Sequence, residues 1–327
     1  MIAVLRKVLR MIGYALAVVL LLLLLWAAVH QALSLSEAKG AERVGVSVYV
    51  GGRSMNVYAL GAGDVTVVLM PGLGTAAPVL DFEPLAERLS GDFRVVIAEP
   101  LGYGWSDLTD GERSVQNIVE ELREGLTAAG ESGPYVLMPH SVSGIYAAWY
   151  AENYPDEISA IVGIDCTLPR QVEYFGGAYP EVPGIVKLAC PMGLCRLLCL
   201  LSPNSFISEN EQGIYSDANL RMQKELASRK GYNRNIIDEM NAIAGNAAAT
   251  ESIEFPGDLP LLFFTRPESS HAARDDGKTS RSFYETYISN ADCQKIVELE
   301  SGHYMHWTQS DAIAAAFKDF INDMEIN

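Results

Sequence analysis

The sequence predicts an α/β fold: a mainly parallel sheet with helices on both faces, one long helical insertion, and a single membrane-length helix ahead of it. Three observations predict this. Short continuous apolar runs at residues 65–70, 93–98, 135–139 and 158–164 alternate with helix-period segments, the rhythm of βαβ units whose strands are buried on both sides. The rhythm stops after Thr167 and resumes at Leu259. Upstream of everything lies Met11–Val29, a run of 19 residues without a charge.

That run fixes the reading of the amino end. As a helix it would rise about 28 Å, close to the hydrocarbon thickness of a bilayer. It is longer than the apolar region of about 7–15 residues usual in a cleaved signal, so residues 1–30 read as an uncleaved anchor, with a cleaved signal as the competing reading. Arg6, Lys7 and Arg10 precede the run, while Glu37, Lys39, Glu42 and Arg43 after it nearly cancel. The amino end is therefore expected on the cytoplasmic side and the body on the extracytoplasmic side of the cell membrane. Residues 31–42 read as a tether. Residues 31–327 carry 21 basic and 41 acidic side chains, a formal charge of −20, which argues against nucleic acid or anionic headgroups as partners. With 49% hydrophobic residues the chain is rich enough to bury a sizeable core.

The elements follow in order. Residues 43–50 and 55–60 alternate with period two around Gly51-Gly52, a hairpin pattern. The strand at 65–70 ends in Pro71-Gly-Leu-Gly-Thr75 and is followed by a helix carrying Leu80, Phe82, Leu85 and Leu89. The strand at 93–98 runs into Glu99-Pro-Leu-Gly-Tyr-Gly-Trp-Ser-Asp107. Apolar spacing then predicts a helix from about Ser114, its N-cap, to Ala129. Tyr135–Pro139 leads into His140-Ser141 and another helix, and Ile158–Ile164 ends at Asp165. Residues 167–257 read as an inserted helical cap with an apolar stretch from Val182 to Leu201. The core, residues 43–166 and 258–327, resumes with strands near 259–264 and 294–299 and closes on an amphipathic helix at 310–321. In such sheets ligands gather beyond the carboxyl ends of the strands, where Ser141, the Gly72-Leu-Gly74 turn and Asp165 all fall.

Five cysteines do not make a dense framework, and Cys190, Cys195 and Cys199 sit in an apolar run with no histidine nearby. Ordinary packing is their expected role, a zinc site is not expected, and one disulfide among them is allowed.

A serine hydroxyl becomes a useful nucleophile only on an exposed, tightly turned backbone beside a base and amide donors. A strand-to-helix turn supplies that, and the general pattern is G-x-S-x-G. Ser141 has the position, though Pro139 and Ser143 stand at the flanks and Gly144 follows; the competing reading is a polar turn between two core elements. His303, in Ser301-Gly-His-Tyr304, is the expected general base, since imidazole titrates near neutrality. His140 is expected to point to the other side of its strand, and His306 to pack beside the site.

Taken together, Pro71-Gly-Leu-Gly74, Gly102-Tyr-Gly-Trp-Ser-Asp107, the His140-Ser141 turn and the late Gly302-His303, in this order, resemble the α/β-hydrolase superfamily over residues 43–323. The form Pro-His-Ser-x-Ser-Gly behind a membrane anchor resembles a bacterial branch of it. The resemblance implies a catalytic serine at Ser141, a base at His303, and oxyanion donors in the backbone N–H groups of Leu73 and Val142. For the acid it leaves two positions, Asp165 after the strand that follows the elbow helix, which is preferred, and Glu268 after the penultimate strand. It implies no cofactor and no metal. Met70 replaces a histidine frequent before the Pro-Gly step, which alters loop packing more than chemistry. A serine at the elbow argues against the aspartate-dependent epoxide hydrolases and haloalkane dehalogenases. The implied activity is hydrolysis of a small-molecule carboxylic ester or amide with an apolar part. A proline iminopeptidase-like peptidase is the alternative, with Glu209, Glu211, Asp217 or Glu225 receiving the substrate amine, and an inactive surface binding module is the alternative of another class. Ser141 is expected to hold a strained backbone conformation.

Overall fold

A computed structural model of the chain describes residues 1–40, 42–179, 181–202, 204, 206–267 and 276–326. A long first helix, α1 (Ile2–Gly40), leads into the hairpin β1 (Val46–Val50) and β2 (Arg53–Leu60). Next come β3 (Thr66–Met70), α2 (Pro78–Asp81), α3 (Glu83–Leu89), β4 (Arg94–Ala98), α4 (Val115–Ala128), β5 (Tyr135–Pro139), α5 (Ser143–Asn153) and β6 (Ile158–Ile164). Between β6 and the next strand lie α6 (Gln171–Phe175), a 3-10 turn at Gly184–Leu188, α7 (Leu194–Leu201), α8 (Asp217–Lys230) and α9 (Arg234–Thr250). The sheet then resumes with β7 (Leu261–Thr265), α10 (Ser280–Glu285), β8 (Gln294–Glu298) and α11 (Ser310–Asp323).

The strands form an eight-stranded sheet in the order β1-β2-β4-β3-β5-β6-β7-β8, antiparallel at the first two pairings and parallel from β4 to β8. In β3, β5 and β7 every residue is buried, which is why these strands read as continuous apolar runs. Their side chains alternate between two cores. Val68, Met70 and Leu137 face Ile118 of α4 and Ile145 of α5, whereas Val67, Leu69 and Met138 face Leu85 of α3 and Phe317 of α11. Ser114 caps α4 as expected, its hydroxyl accepting from the Asn117 N–H at 3.3 Å.

The sheet order positions the site. From β3 the chain crosses to β4 on one side and then returns to β5 on the other. The crevice beyond the carboxyl ends of β3 and β5 is therefore a topological switch point, where connecting loops diverge and leave room for a ligand.

The helices between β6 and β7 are fastened to core loops through buried asparagine amides. Asn235 accepts from the Thr109 N–H and donates to its C=O, at 3.0 and 2.8 Å. Asn246 accepts from Val115 N–H and donates to Arg113 C=O, at 2.7 and 3.0 Å. Asn233 and Asn219 donate to the C=O groups of Gly102 and Leu80. Each bond gives a partner to a buried peptide group in a loop or at a helix end.

Residues 31–40, expected as a tether, instead continue α1. Arg196 explains this: it donates to both Glu37 carboxylate oxygens (2.6 and 2.5 Å), to Ser34 Oγ (3.3 Å) and to His30 Nδ1 (3.1 Å). The α1 segment Val4–Gly40 is long and apolar enough to cross a membrane by length and composition, and its apolar window is uncovered by the rest of the chain. All five cysteines are free thiols; Cys190 and Cys195 are buried and donate to the C=O groups of Arg229 and Gly231.

Candidate active site

Ser141 follows β5 with φ +54°, in the left-handed region that side chains other than glycine's seldom adopt. Such a residue costs about 1–3 kcal/mol and persists only where its surroundings over-determine it. They do so here. The Ser141 N–H points to Ile164 C=O at 3.4 Å, and its own C=O accepts from Gly144 N–H (3.1 Å) and Thr167 N–H (2.7 Å). Gly144 makes the close approach possible: a Cβ there would fall 2.4 Å from Thr167 O.

The two unusual flanks have physical accounts. His140 N–H donates to Met70 on β3 and Ser141 N–H points to β6, so alternation turns the nitrogen of Pro139 toward β6. Regular pairing of β5 with β6 stops at Leu137, with a single further bridge between His140 and Ile164. Proline thus falls where a ladder bond is already absent. Ser143, where glycine is more usual, donates its hydroxyl to Pro71 C=O at 2.5 Å. The side chain ties α5 to the turn after β3.

In that turn Gly72 approaches the serine so closely that a Cβ would lie 3.1 Å from Ser141 Cβ and 2.7 Å from His140 Nδ1. Neither the Leu73 N–H after it nor the Val142 N–H after Ser141 has a hydrogen-bond acceptor among the described residues. Two free amides flanking a serine form an arrangement suited to an anion.

His303, 162 residues downstream, lies with Nε2 2.9 Å from Ser141 Oγ. Its Nδ1 is 2.6 Å from Asp165 Oδ2. A carboxylate accepts only, so Nδ1 carries the proton and Nε2 is left to accept from the serine hydroxyl. Asp165 is also in the left-handed region, φ +39°, with its N–H bound to Phe264 C=O at 2.9 Å. Its Oδ2 is shared with Arg266 Nε at 2.9 Å. The structure brings Ser141, His303 and Asp165 into one line; Glu268 lies outside the described residues.

His140 is fully buried, and its Nε2–H donates to His303 C=O at 3.1 Å, steadying the loop that carries His303. The His303, Tyr304 and His306 rings pack around it within 4.9 Å. Burial, reinforced by the neighbouring His306 and His303, holds His140 well below the usual imidazole range. It is neutral in the folded chain, whereas the unfolded chain takes up a proton as pH falls through its ordinary value near 6.5. More protons on the unfolded state mean that this group lowers stability as pH falls, by up to about 1.4 kcal/mol per pH unit. Urea unfolding between about pH 7 and pH 5 is therefore expected to show a steeper acid loss for the wild type than for His140→Gln; equal slopes would mean a charged ring in the folded chain.

Two buried clusters were not legible in the sequence. Asp81 accepts from His306 Nε2 and Trp307 Nε1, each at 2.7 Å, holding the segment after His303 against α2. Glu239 of α9 accepts from Tyr103 OH (2.9 Å) and Tyr146 OH (2.8 Å), and Tyr103 OH in turn accepts from Gly74 N–H at 3.2 Å. Burial pushes the Glu239 carboxyl up, opposed by Arg113 and the two hydroxyls. Neither carboxylate carries a motif, because its partners come from distant loops.

Beside Leu73 lies a cavity of about 270 Å³ whose walls include Thr75, Phe206, Ile236, Met240 and Trp307. Among its described lining residues the carboxylate is Asp81, already taken by His306 and Trp307. Glu209, Glu211, Asp217 and Glu225 are not among them. No group of His, Cys, Asp and Glu among the described residues is arranged to hold a metal ion.

This sheet, with its serine turn at the switch point, defines a hydrolase-type α/β fold. The family described as alpha/beta hydrolase fold matches residues 65–190. The uncharacterized protein YbdG of Bacillus subtilis (strain 168) is 28% identical over 96% of this chain and 97% of its own. The 2-(acetamidomethylene)succinate hydrolase of Mesorhizobium japonicum is 28% identical over 52% of this chain and 70% of its own. Among solved structures, Cfl2 from Burkholderia cenocepacia has a TM-score of 0.62 at 19% identity, covering 84% of this chain and 94% of its own. A mutant of the Vigna radiata epoxide hydrolase has a TM-score of 0.64 at 15% identity, covering 85% and 98%. The chain has the α/β-hydrolase fold, and hydrolysis is the class of reaction its relatives support.

Proposed function

We propose that the chain is a serine hydrolase that cleaves a carboxylic ester with an apolar part through an acyl-enzyme on Ser141. The observation that carries this reading is the hydrogen-bonded line Ser141 Oγ, His303, Asp165, with spacings of 2.9 and 2.6 Å. His303 Nε2 takes the hydroxyl proton as Oγ attacks the ester carbon, and Asp165 holds the ring in the required tautomer. The oxygen that gains negative charge is received by the N–H groups of Leu73 and Val142. Collapse of this adduct expels the alcohol, which leaves with the proton from His303; water then repeats the sequence, releasing the acid and restoring Ser141.

The ester is preferred to an aminopeptidase substrate because the cavity offers an ammonium group no uncommitted carboxylate, while its walls are largely apolar. The likeness to an epoxide hydrolase is one of fold, and a serine occupies the elbow here. The helices of residues 167–257 act as a cap over the core. Through α1 the chain is anchored in the cell membrane, amino end inside and the catalytic body on the extracytoplasmic face, as the basic residues before the apolar run favour.

A fluorophosphonate probe tests the reading. The detergent-solubilised full chain is expected to label covalently and its Ser141→Ala variant not to label, with medium-chain nitrophenyl esters turned over and aminoacyl naphthylamides left intact. Failure of the wild type to label would leave the binding-module reading in its place.

A further inference from the structure

The helix α7 is inside out. Its buried face carries Cys195, Arg196 and Cys199, whereas Leu194, Leu197, Leu198, Leu200 and Leu201 are exposed, the last two at 61% and 74%. The 3-10 turn before it exposes Ile185 and Leu188 as well. Single exposed leucines are ordinary, but a water-facing helix places its leucines inward and its arginine outward. A contiguous apolar face of this kind marks an interaction surface.

What covers it is indicated by α1. Trp26 Nε1 donates to Gly193 C=O at 3.1 Å, and Gln31 Nε2 to Pro191 C=O at 2.9 Å. His30 packs so tightly on Gly193 that a Cβ there would lie 2.6 Å from the imidazole Cγ. Arg196, one turn further along, reaches His30, Ser34 and Glu37. Gly193 is the N-cap of α7, so α7 begins at the level of residues 26–30 of α1. The apolar run of α1 ends at Val29, before His30 and Gln31, and tryptophan is the residue usual at a membrane–water boundary. The start of α7 is thus clamped to the outer end of the span.

We infer that the leucine face of α7, with Ile185 and Leu188, rests in the boundary between acyl chains and headgroups of the same bilayer that α1 crosses. This rests on the membrane-anchor reading given above. The contact is apolar, because a body of formal charge −20 is repelled by anionic headgroups. It also specifies the substrate. Phe206, in the cavity wall, follows Leu201 by five residues, at most about 18 Å of extended chain. The cavity therefore draws on esters dissolved in the bilayer, and the apolar surface of α7 is the approach to it.

The test uses the full chain in a Cys293→Ser background, reconstituted in phosphatidylcholine vesicles, with a nitrobenzoxadiazole label on Leu201→Cys, Leu20→Cys or Tyr49→Cys. Tyr49, 76% exposed on β1, is the remote control. With doxyl-labelled phosphatidylcholine, the labels at 201 and 20 are expected to be quenched to a comparable degree, unchanged at high salt, while the label at 49 stays bright. Quenching at 20 with none at 201 overturns the α7 contact and leaves the anchor standing. No quenching at 20 overturns the anchor reading itself. A blue-shifted, unquenched label at 201 that depends on protein density makes this face a contact between two copies and likewise overturns the inference. Thermal midpoints equal to that of the parent establish that the labelled chains are folded.

Discussion

His303→Ala is expected to lower ester turnover by about 10⁶-fold, and Ser141→Ala with His303→Ala to lower it no further. The reason lies in the geometry. The Ser141 hydroxyl has its acceptor in His303 Nε2 at 2.9 Å, and the serine proton must leave as the bond to carbon forms. Without the imidazole the nucleophile reverts to an alcohol, whose attack at neutral pH is negligible, so removing it as well costs nothing more. The nearby histidines do not substitute. His140 is spent on His303 C=O and His306 on Asp81. Single-turnover rates of the two variants and the wild type decide the matter. If His303→Ala kept turnover within about tenfold of the wild type, the ring would have no role as base.

Asp165→Asn is expected to reduce turnover by about 10⁴-fold with little change in KM. An amide at this position presents a donor or a neutral oxygen to Nδ1, and either weakens the preference for the tautomer that leaves Nε2 free. The imidazolium formed during attack also loses the carboxylate 2.6 Å away. Arg266 would then stand beside a neutral side chain and oppose that positive charge, since its Nε lies 2.9 Å from the same Asp165 oxygen. Glu268→Gln is expected to stay within about tenfold of the wild type, because His303 Nδ1 already has its carboxylate partner in Asp165. A steady-state comparison in which Glu268→Gln collapses and Asp165→Asn does not would move the acid to the other loop.

The fold was legible because its signals are local. β3, β5 and β7 are buried throughout and advertise this as unbroken apolar runs, while Ser114 announces the start of α4 by a side-chain bond to a peptide three residues on. Around the candidate site, chain order pointed to Ser141, which directly follows the β5 run, and to His303, beside Gly302 in the loop between the last strand and the last helix. What could not be read was every group whose partner is remote. Glu239 gains its meaning from tyrosines 93 and 136 residues away, and Asp81 from His306, 225 residues away. The continuation of α1 past the apolar run was hidden for the same reason: residues 31–40 are polar enough to pass for a linker until Arg196, far along the chain, satisfies Glu37 and Ser34. His140 was expected on the side of its strand away from the serine. Its ring is indeed turned from solvent, but it reaches the His303 backbone, a contact no spacing rule contains.

The hydroxyl of Ser143 has a dynamic consequence. It joins the helix after the nucleophile to the carbonyl of Pro71, two residues before the Leu73 amide. Local opening of proteins proceeds in cooperative units, and this bond links the two segments that carry the amides of Val142 and Leu73. On the proposed mechanism, a fluctuation that swings the elbow outward is expected to carry the turn with it, so that Ser141 and the two amides stay in register even while the crevice widens. A glycine at 143 would leave the two walls to breathe separately, and the fraction of time in which both amides are aligned would be the product of two populations rather than one.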